Sequence, residues 1–239
     1  MTPRSSLLSI AATTTLLAAP TALALPHFWD GTDLSLNADG GSGIWDAGLT
    51  ANWDDLAIGG LSVPWPLTGT DNDVIFGGAA GAVTIEAAGV AANDLSFLTT
   101  GYTLGGGMLT LNNTTQNTIT LGPGISAAIS SSITATAGNV TLSGGTLDYS
   151  GSYTGGTKNF TVSGATLNLT SPAFTLKKFV VGAGVGSSPA TMNMSSGSLT
   201  TSNDYVGAGD GVDGTINVSG GTFTLGTNAT ALFLGTGPV

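Results

Sequence analysis

Cysteine is absent from this chain, histidine occurs once, and charged residues make up only 8% of the 239 positions. Without cysteine there are no disulfides, so an exported chain must be held together by another route. Arginine occurs once, at Arg4, so beyond the first residues the only side-chain cations are Lys158, Lys177, Lys178 and, when protonated, His27. Without residues 1–24 the count of Lys and Arg falls from 4 to 3 against an unchanged 14 acids, a net charge of about −11. Neutralising phosphates takes several cations on one surface, so nucleic acid and anionic lipid are excluded as partners. No long uninterrupted apolar run follows residue 25, so the mature chain has no membrane-spanning helix. The sequence also lacks the signature of disorder, since its charge is low and its mean hydropathy is positive. Such a chain must fold or aggregate.

The start of the chain reads as a secretory leader. Arg4 supplies the positive end, Leu7 to Ala19 is largely apolar, and Ala22-Leu23-Ala24 gives a small-x-small cleavage pattern followed by Pro26. The expected divisions are 1–24, a signal peptide; 25–80, a tryptophan-rich cap; and 81–239, solenoid repeats.

What fills the rest is a ten-residue phrase, written five times. Val140-Thr-Leu142-Ser-Gly-Gly-Thr-Leu147-Asp-Tyr149 and Ile216-Asn-Val218-Ser-Gly-Gly-Thr-Phe223-Thr-Leu225 are two copies. Tyr102 to Leu111, Phe160 to Leu169 and Met192 to Thr201 keep the same offsets, with Thr201 in a slot that is otherwise apolar. The apolar slots fall at relative positions 0, 2, 7 and 9. A straight strand keeps one face on even positions, so the chain must turn between the two pairs. The Ser-Gly-Gly there suits a tight bend. Each phrase is then two short strands around a corner, both facing one interior. With 38 glycines and a period of 2, a helical reading fails.

Starts at Val83, Tyr102, Ile119, Val140, Phe160, Met192 and Ile216 lie 19, 17, 21, 20, 32 and 24 residues apart. Spacing near twenty fits one coil of a β-helix, about seven coils in all, roughly 35 Å at about 4.8 Å per rung. The 32-residue gap is expected to hold an extra strand and loop, from Pro172 to Val181. A second register, Val180-Val-Gly-Ala-Gly, Tyr205-Val-Gly-Ala-Gly and Phe233-Leu-Gly-Thr-Gly, marks strands ending in glycine turns. Val140, Leu142, Leu147, Ile216, Val218, Phe223 and Leu225 are expected to point inward. Outward positions are Thr103, Thr141, Thr161, Asn193 and Asn217 on one strand, and Thr110, Asp148, Asn168, Thr200 and Thr224 on the other. Stacked Thr and Asn of this kind form structural ladders.

The order of motifs before and through the repeats, His27-Phe-Trp-Asp-Gly31, Gly43-Ile-Trp-Asp46, Ala51-Asn-Trp53, Asp71-Asn-Asp-Val-Ile-Phe-Gly-Gly78 and the later Gly-Thr-Ile-Asn-Val-Ser-Gly-Gly-Thr, resembles bacterial proteins with autotransporter-associated β-strand repeats. The resemblance covers nearly all of the mature chain. It implies an all-β, right-handed parallel β-helix, exported and held at or beyond a Gram-negative-type outer membrane as a passenger. Members with a C-terminal barrel or sorting tail are common, and neither follows Gly235-Thr-Gly-Pro-Val239. The chain is therefore expected to be a C-terminally incomplete fragment, with Phe233 and Leu234 on an open end that drives end-to-end self-association.

Candidate sites each have a plainer reading. Trp29, Trp45, Trp53 and Trp65 could stack on sugar rings, but aromatics of this size are usually buried, and a cap on the solenoid is expected instead. Asp71 with Asp73, and Asp210 with Asp213, could ligate calcium, but one imperfect Gly-Asp turn is too little, and they are expected to be solvated turn aspartates. The Gly-x-Gly stretches lack the lysine and helix of a phosphate loop. His27 stands at the mature N-terminus and Glu86 is the only glutamate, so no catalytic constellation is evident. The Asn-x-Thr/Ser sites at Asn139, Asn168 and Asn217 follow from strand alternation. No catalytic, cofactor or metal residue is assigned. The expected function is a secreted or cell-surface, adhesin-like structural module meeting an unidentified surface or matrix partner. The alternative is a polysaccharide-binding or polysaccharide-cleaving β-helix.

Overall fold

A computed structural model of the chain describes residues 25–32, 35–66, 72–182, 188–203, 206–208 and 213–228. The leader, Asp71, Asp210, Phe233 and Leu234 lie outside the described residues. Every element among the described residues is a strand. Four precede the coils: β1 (Leu25–Trp29), β2 (Gly43–Trp45), β3 (Trp53–Asp54) and β4 (Ser62–Val63). Then come seven coils of three strands. The first is β5 (Asn72–Phe76), β6 (Ala82–Ile85) and β7 (Val90–Ala92). The second is β8 (Leu95–Phe97), β9 (Tyr102–Gly106) and β10 (Leu109–Leu111). The third is β11 (Gln116–Leu121), β12 (Ser126–Ile129) and β13 (Ile133–Ala135). The fourth is β14 (Asn139–Ser143), β15 (Thr146–Tyr149) and β16 (Tyr153–Thr154). The fifth is β17 (Asn159–Ser163), β18 (Thr166–Leu169) and β19 (Phe174–Leu176). The sixth is β20 (Lys178–Val181), β21 (Ala190–Met194) and β22 (Ser198–Asn203), and the seventh is β23 (Val206–Ala208), β24 (Gly214–Val218) and β25 (Thr222–Asn228).

First strands of successive coils pair in parallel to make one face of the rod, second strands a second face, and third strands a third. Each inner strand is thus paired above and below by its counterparts, which leaves no edge along the middle of the rod. This is a parallel β-solenoid, and its stacking begins at Asn72, ahead of the Val83 expected from the repeat. The parity argument holds in all the inner copies of the phrase: Val140, Leu142, Leu147 and Tyr149 are buried, as are Phe160, Val162, Leu167 and Leu169. The bends use left-handed glycines. Gly144 has φ +68°, and Gly197, at +83°, sits where a Cβ would collide with the Ser171 carbonyl oxygen.

Two expectations need correction. The 32-residue gap holds no extra strand. Phe174–Leu176 and Lys178–Val181 are ordinary members of the fifth and sixth coils. The gap arises because the phrase changes corner. At Val140 and Phe160 it bridges the first and second faces, whereas at Tyr102, Met192 and Ile216 it bridges the second and third. Second, the last copy is not fully buried. Val218 is 49% exposed, and Ile216, Phe223 and Leu225 are only partly buried against the core. They stand on β24 and β25, the outermost strands of their sheets among the described residues.

The interior carries a tyrosine contrast. The Tyr102 hydroxyl, pushed by burial up to about 12, donates to the carbonyls of Gly77 and Ala79, the latter at 2.8 Å. The Tyr153 hydroxyl, raised further by burial and then by Tyr149, has no hydrogen-bond partner. Tyr153→Phe is expected to leave stability unchanged or raise it by up to about 1 kcal/mol, and Tyr102→Phe to lower it by about 1–2 kcal/mol. Urea melts of both variants check this. A loss for Tyr153→Phe equal to that of Tyr102→Phe would contradict it.

Candidate functional site: the outer ladders and the tryptophan cap

The four tryptophans are interior. Trp29, Trp45 and Trp53 are 0% exposed and Trp65 is 1% exposed, which removes the sugar-stacking reading. They form one cluster, with Trp53 centred 4.9 Å from Trp29, 5.0 Å from Trp45 and 4.8 Å from Trp65. Phe76 of the first coil lies on top of it. Strand β1 continues the first face below β5, and the antiparallel pair β3–β4 closes that edge. The cluster fills the end of the solenoid as a cap, in which Trp29 and Trp65 donate their indole N–H to the Gly41 and Ala91 carbonyls.

The other weighed residues are structural in their contacts. His27 is nearly buried and meets Trp65 edge-on at 5.1 Å. Glu86 accepts the Ala47 amide at 2.8 Å. Asp73 is not in a turn but within β5. Its neighbour Asp94 accepts the Thr118 amide at 2.7 Å, and burial first, then the Asp73 charge, raises its carboxyl above the usual range. Asp213 is exposed. Among the described residues no three His, Cys, Asp or Glu side chains converge on a position that could hold a metal ion. No helix among them is long and apolar enough to cross a membrane.

The outward positions do stack, in columns that the phrase alone had split wrongly between two strands. On the third face Thr110, Thr134, Thr154, Thr175, Thr200 and Thr224 are successive partners. On the second face Asp148, Asn168, Asn193 and Asn217 form a single column. There the Nδ2 of Asn168 donates to Asp148 Oδ1 at 2.7 Å, Asn193 to Asn168 at 2.8 Å and Asn217 to Asn193 at 2.8 Å. The amides all run the same way, toward Asp148.

An inner polar column was missed. Asn72, Asn93 and Asn117 stack at one inward corner and are 7%, 2% and 0% exposed. Asn117 accepts the Asn113 amide at 2.9 Å and donates to the Asn139 carbonyl at 3.3 Å. The recurring Asn two residues before a strand's first apolar slot (Asn72-x-Val74, Asn93-x-Leu95, Asn117-x-Ile119) was the available signal. Asn117→Ala is expected to cost about 2–4 kcal/mol, since it strands buried backbone groups, and Asn193→Ala less than about 1 kcal/mol, since water replaces its partners. Equal losses in chemical denaturation would show that the two columns bear alike on stability.

No family model matches the chain, and no solved structure matches it. Over 160 residues it is 35% identical to the BmaC autotransporter adhesin of Brucella suis biovar 1 (strain 1330). The match takes in 66% of this chain and 4% of that protein, so the chain spans only a small part of its relative's length. The chain is a parallel β-solenoid with distant homology to an autotransporter adhesin.

Proposed function

We propose that the chain is part of an exported, surface-exposed, adhesin-like passenger that presents its outer ladders to a surface or matrix partner and catalyses nothing. The similarity to an autotransporter adhesin carries this reading. The rod supports it, since its second and third faces carry an Asp148–Asn column and a Thr column of hydrogen-bonding side chains held in register by the backbone. Nucleic acid is not the partner, because the 3 lysines left without residues 1–24, against 14 acids, cannot neutralise phosphates. Self-association belongs to the same proposal. The partly covered apolar side chains of β24 and β25, Val218 foremost, are the surface proposed for it. Pairing of like surfaces is isologous and stops at two chains.

The test is attachment of beads coated with the chain to extracellular matrix and to host-type cell surfaces, alongside product release from a panel of neutral and acidic polysaccharides. Attachment without product is expected. Product release that is lost on replacing a surface aspartate would overturn the non-enzymatic reading, and no attachment to any surface would overturn the adhesin reading. Light scattering at high salt should detect dimers but no longer filaments.

A further inference from the structure

Followed along the rod, the outward column of the second face reads Ala82, Thr103, Ala128, Asp148, Asn168, Asn193, Asn217. From Asn217 to Asp148 the donor of each rung meets the acceptor of the one before. The series then stops on an acceptor. The next rung is Ala128, whose side chain can neither donate nor accept. Asp148 Oδ1 is taken by Asn168, and its other oxygen makes no hydrogen bond among the described residues. Over Ala128 lies a hollow of about 120 Å³, bordered by Thr103 and Ser126 on one side and Asp148 on the other. Thr103 and Asp148 are two rungs apart, roughly 9–10 Å.

We propose that this hollow binds one residue of an uncharged glycan whose chain lies along the Asn column. A hydroxyl of the sugar donates to the open oxygen of Asp148, and a neighbouring hydroxyl exchanges hydrogen bonds with Thr103 and Ser126. The volume is that of about four water molecules, so the hollow takes the hydroxylated edge of a ring, not the whole ring. The Asn side chains beside it each keep an outward amide N–H and a carbonyl lone pair. Hydroxyls match both, being donors and acceptors at once. An ammonium group only donates and leaves the amide N–H groups unmatched. No exposed aromatic borders the hollow, and the contacts are few, so a dissociation constant on the order of 1 mM is expected for a short oligosaccharide.

This inference rests on the adhesin-like reading for its biological sense, but it is tested separately. Amide chemical shifts of the full chain are followed during titration with a β-1,4-linked glucose trisaccharide and with the corresponding glucosamine trisaccharide. Ala128→Leu fills the hollow and removes no polar group. Asp148→Asn keeps the column's hydrogen bonding and removes the charge. The neutral sugar should move the amides of 101–103, 126–128 and 148. Ala128→Leu should weaken it at least about tenfold, and Asp148→Asn about threefold. No binding of the neutral sugar at tens of millimolar overturns the proposal. So does binding that Ala128→Leu leaves intact, or binding of the glucosamine sugar alone that vanishes in high salt. Beads carrying Ala128→Leu separate the two readings. If they attach as well as wild type and the titration fails, the hollow falls and the adhesin reading stands. If the sugar binds but no beads attach, the reverse holds.

Discussion

Trp53→Ala lowers stability by about 3–5 kcal/mol, and the loss is concentrated at the N-terminal end. Trp53 touches Trp29, Trp45, Trp65 and Phe76, so its removal opens a cavity in the cap itself. A solenoid is nearly one-dimensional, and each coil is held mainly by its neighbours. The first coil, β5 to β7, is held from below by the cap and from above by the second. With the cap loosened, its amides exchange with solvent at a much lower opening energy, while those of β14 to β18 keep their protection. Hydrogen exchange resolves the two regions. A uniform fall in protection along the chain would show instead that the rod unfolds as one unit.

A substitution of similar cost in the middle has a different signature. Phe174 of the fifth coil stacks on Tyr153 at 4.5 Å and meets Phe160 at 5.2 Å and Phe179 at 6.0 Å. It also lines a void of about 10 Å³ together with Ile119, Leu147, Tyr153 and Leu167. Phe174→Ala enlarges that void and is expected to cost about 3–5 kcal/mol. The coils before it retain the tryptophan cap and four neighbours in a row. The two beyond it lose their main anchor. Heating should therefore give two calorimetric transitions, the first from the C-terminal coils, where the wild type gives one. A single broadened transition would contradict local coupling.

The sequence carried the fold through backbone arithmetic more than through any motif. Apolar slots at 0, 2, 7 and 9 demand a corner between two strands, and the inner copies of the phrase are built that way. What the arithmetic could not fix was which corner. The corner between the first and second faces and the corner between the second and third pose the same steric problem, so the same ten residues serve at either. This is why the spacing of 32 residues looked like an insertion, and why Asp148 and Asn168 seemed to stand apart from Asn193 and Asn217. Burial of the cap tryptophans was legible from residue type. The inner Asn72–Asn93–Asn117 column was not, because a polar residue beside a strand reads as a turn until stacking puts it inside. The hollow at Ala128 was equally hidden, since it exists only between rungs about twenty residues apart.

The interchangeable corners have a consequence for how such a rod changes length. Gain or loss of one strand and its corner, about ten residues or fewer, need not break the stack where the phrase can serve at either of two corners. It turns everything downstream by one third of a revolution. Columns built from different coils would then be re-dealt among the three faces without any change in the coils themselves. A slipped duplication can thus move an asparagine column to the far side of the rod, or extend a threonine column at its expense. Small changes in length become changes in what each side of the rod displays.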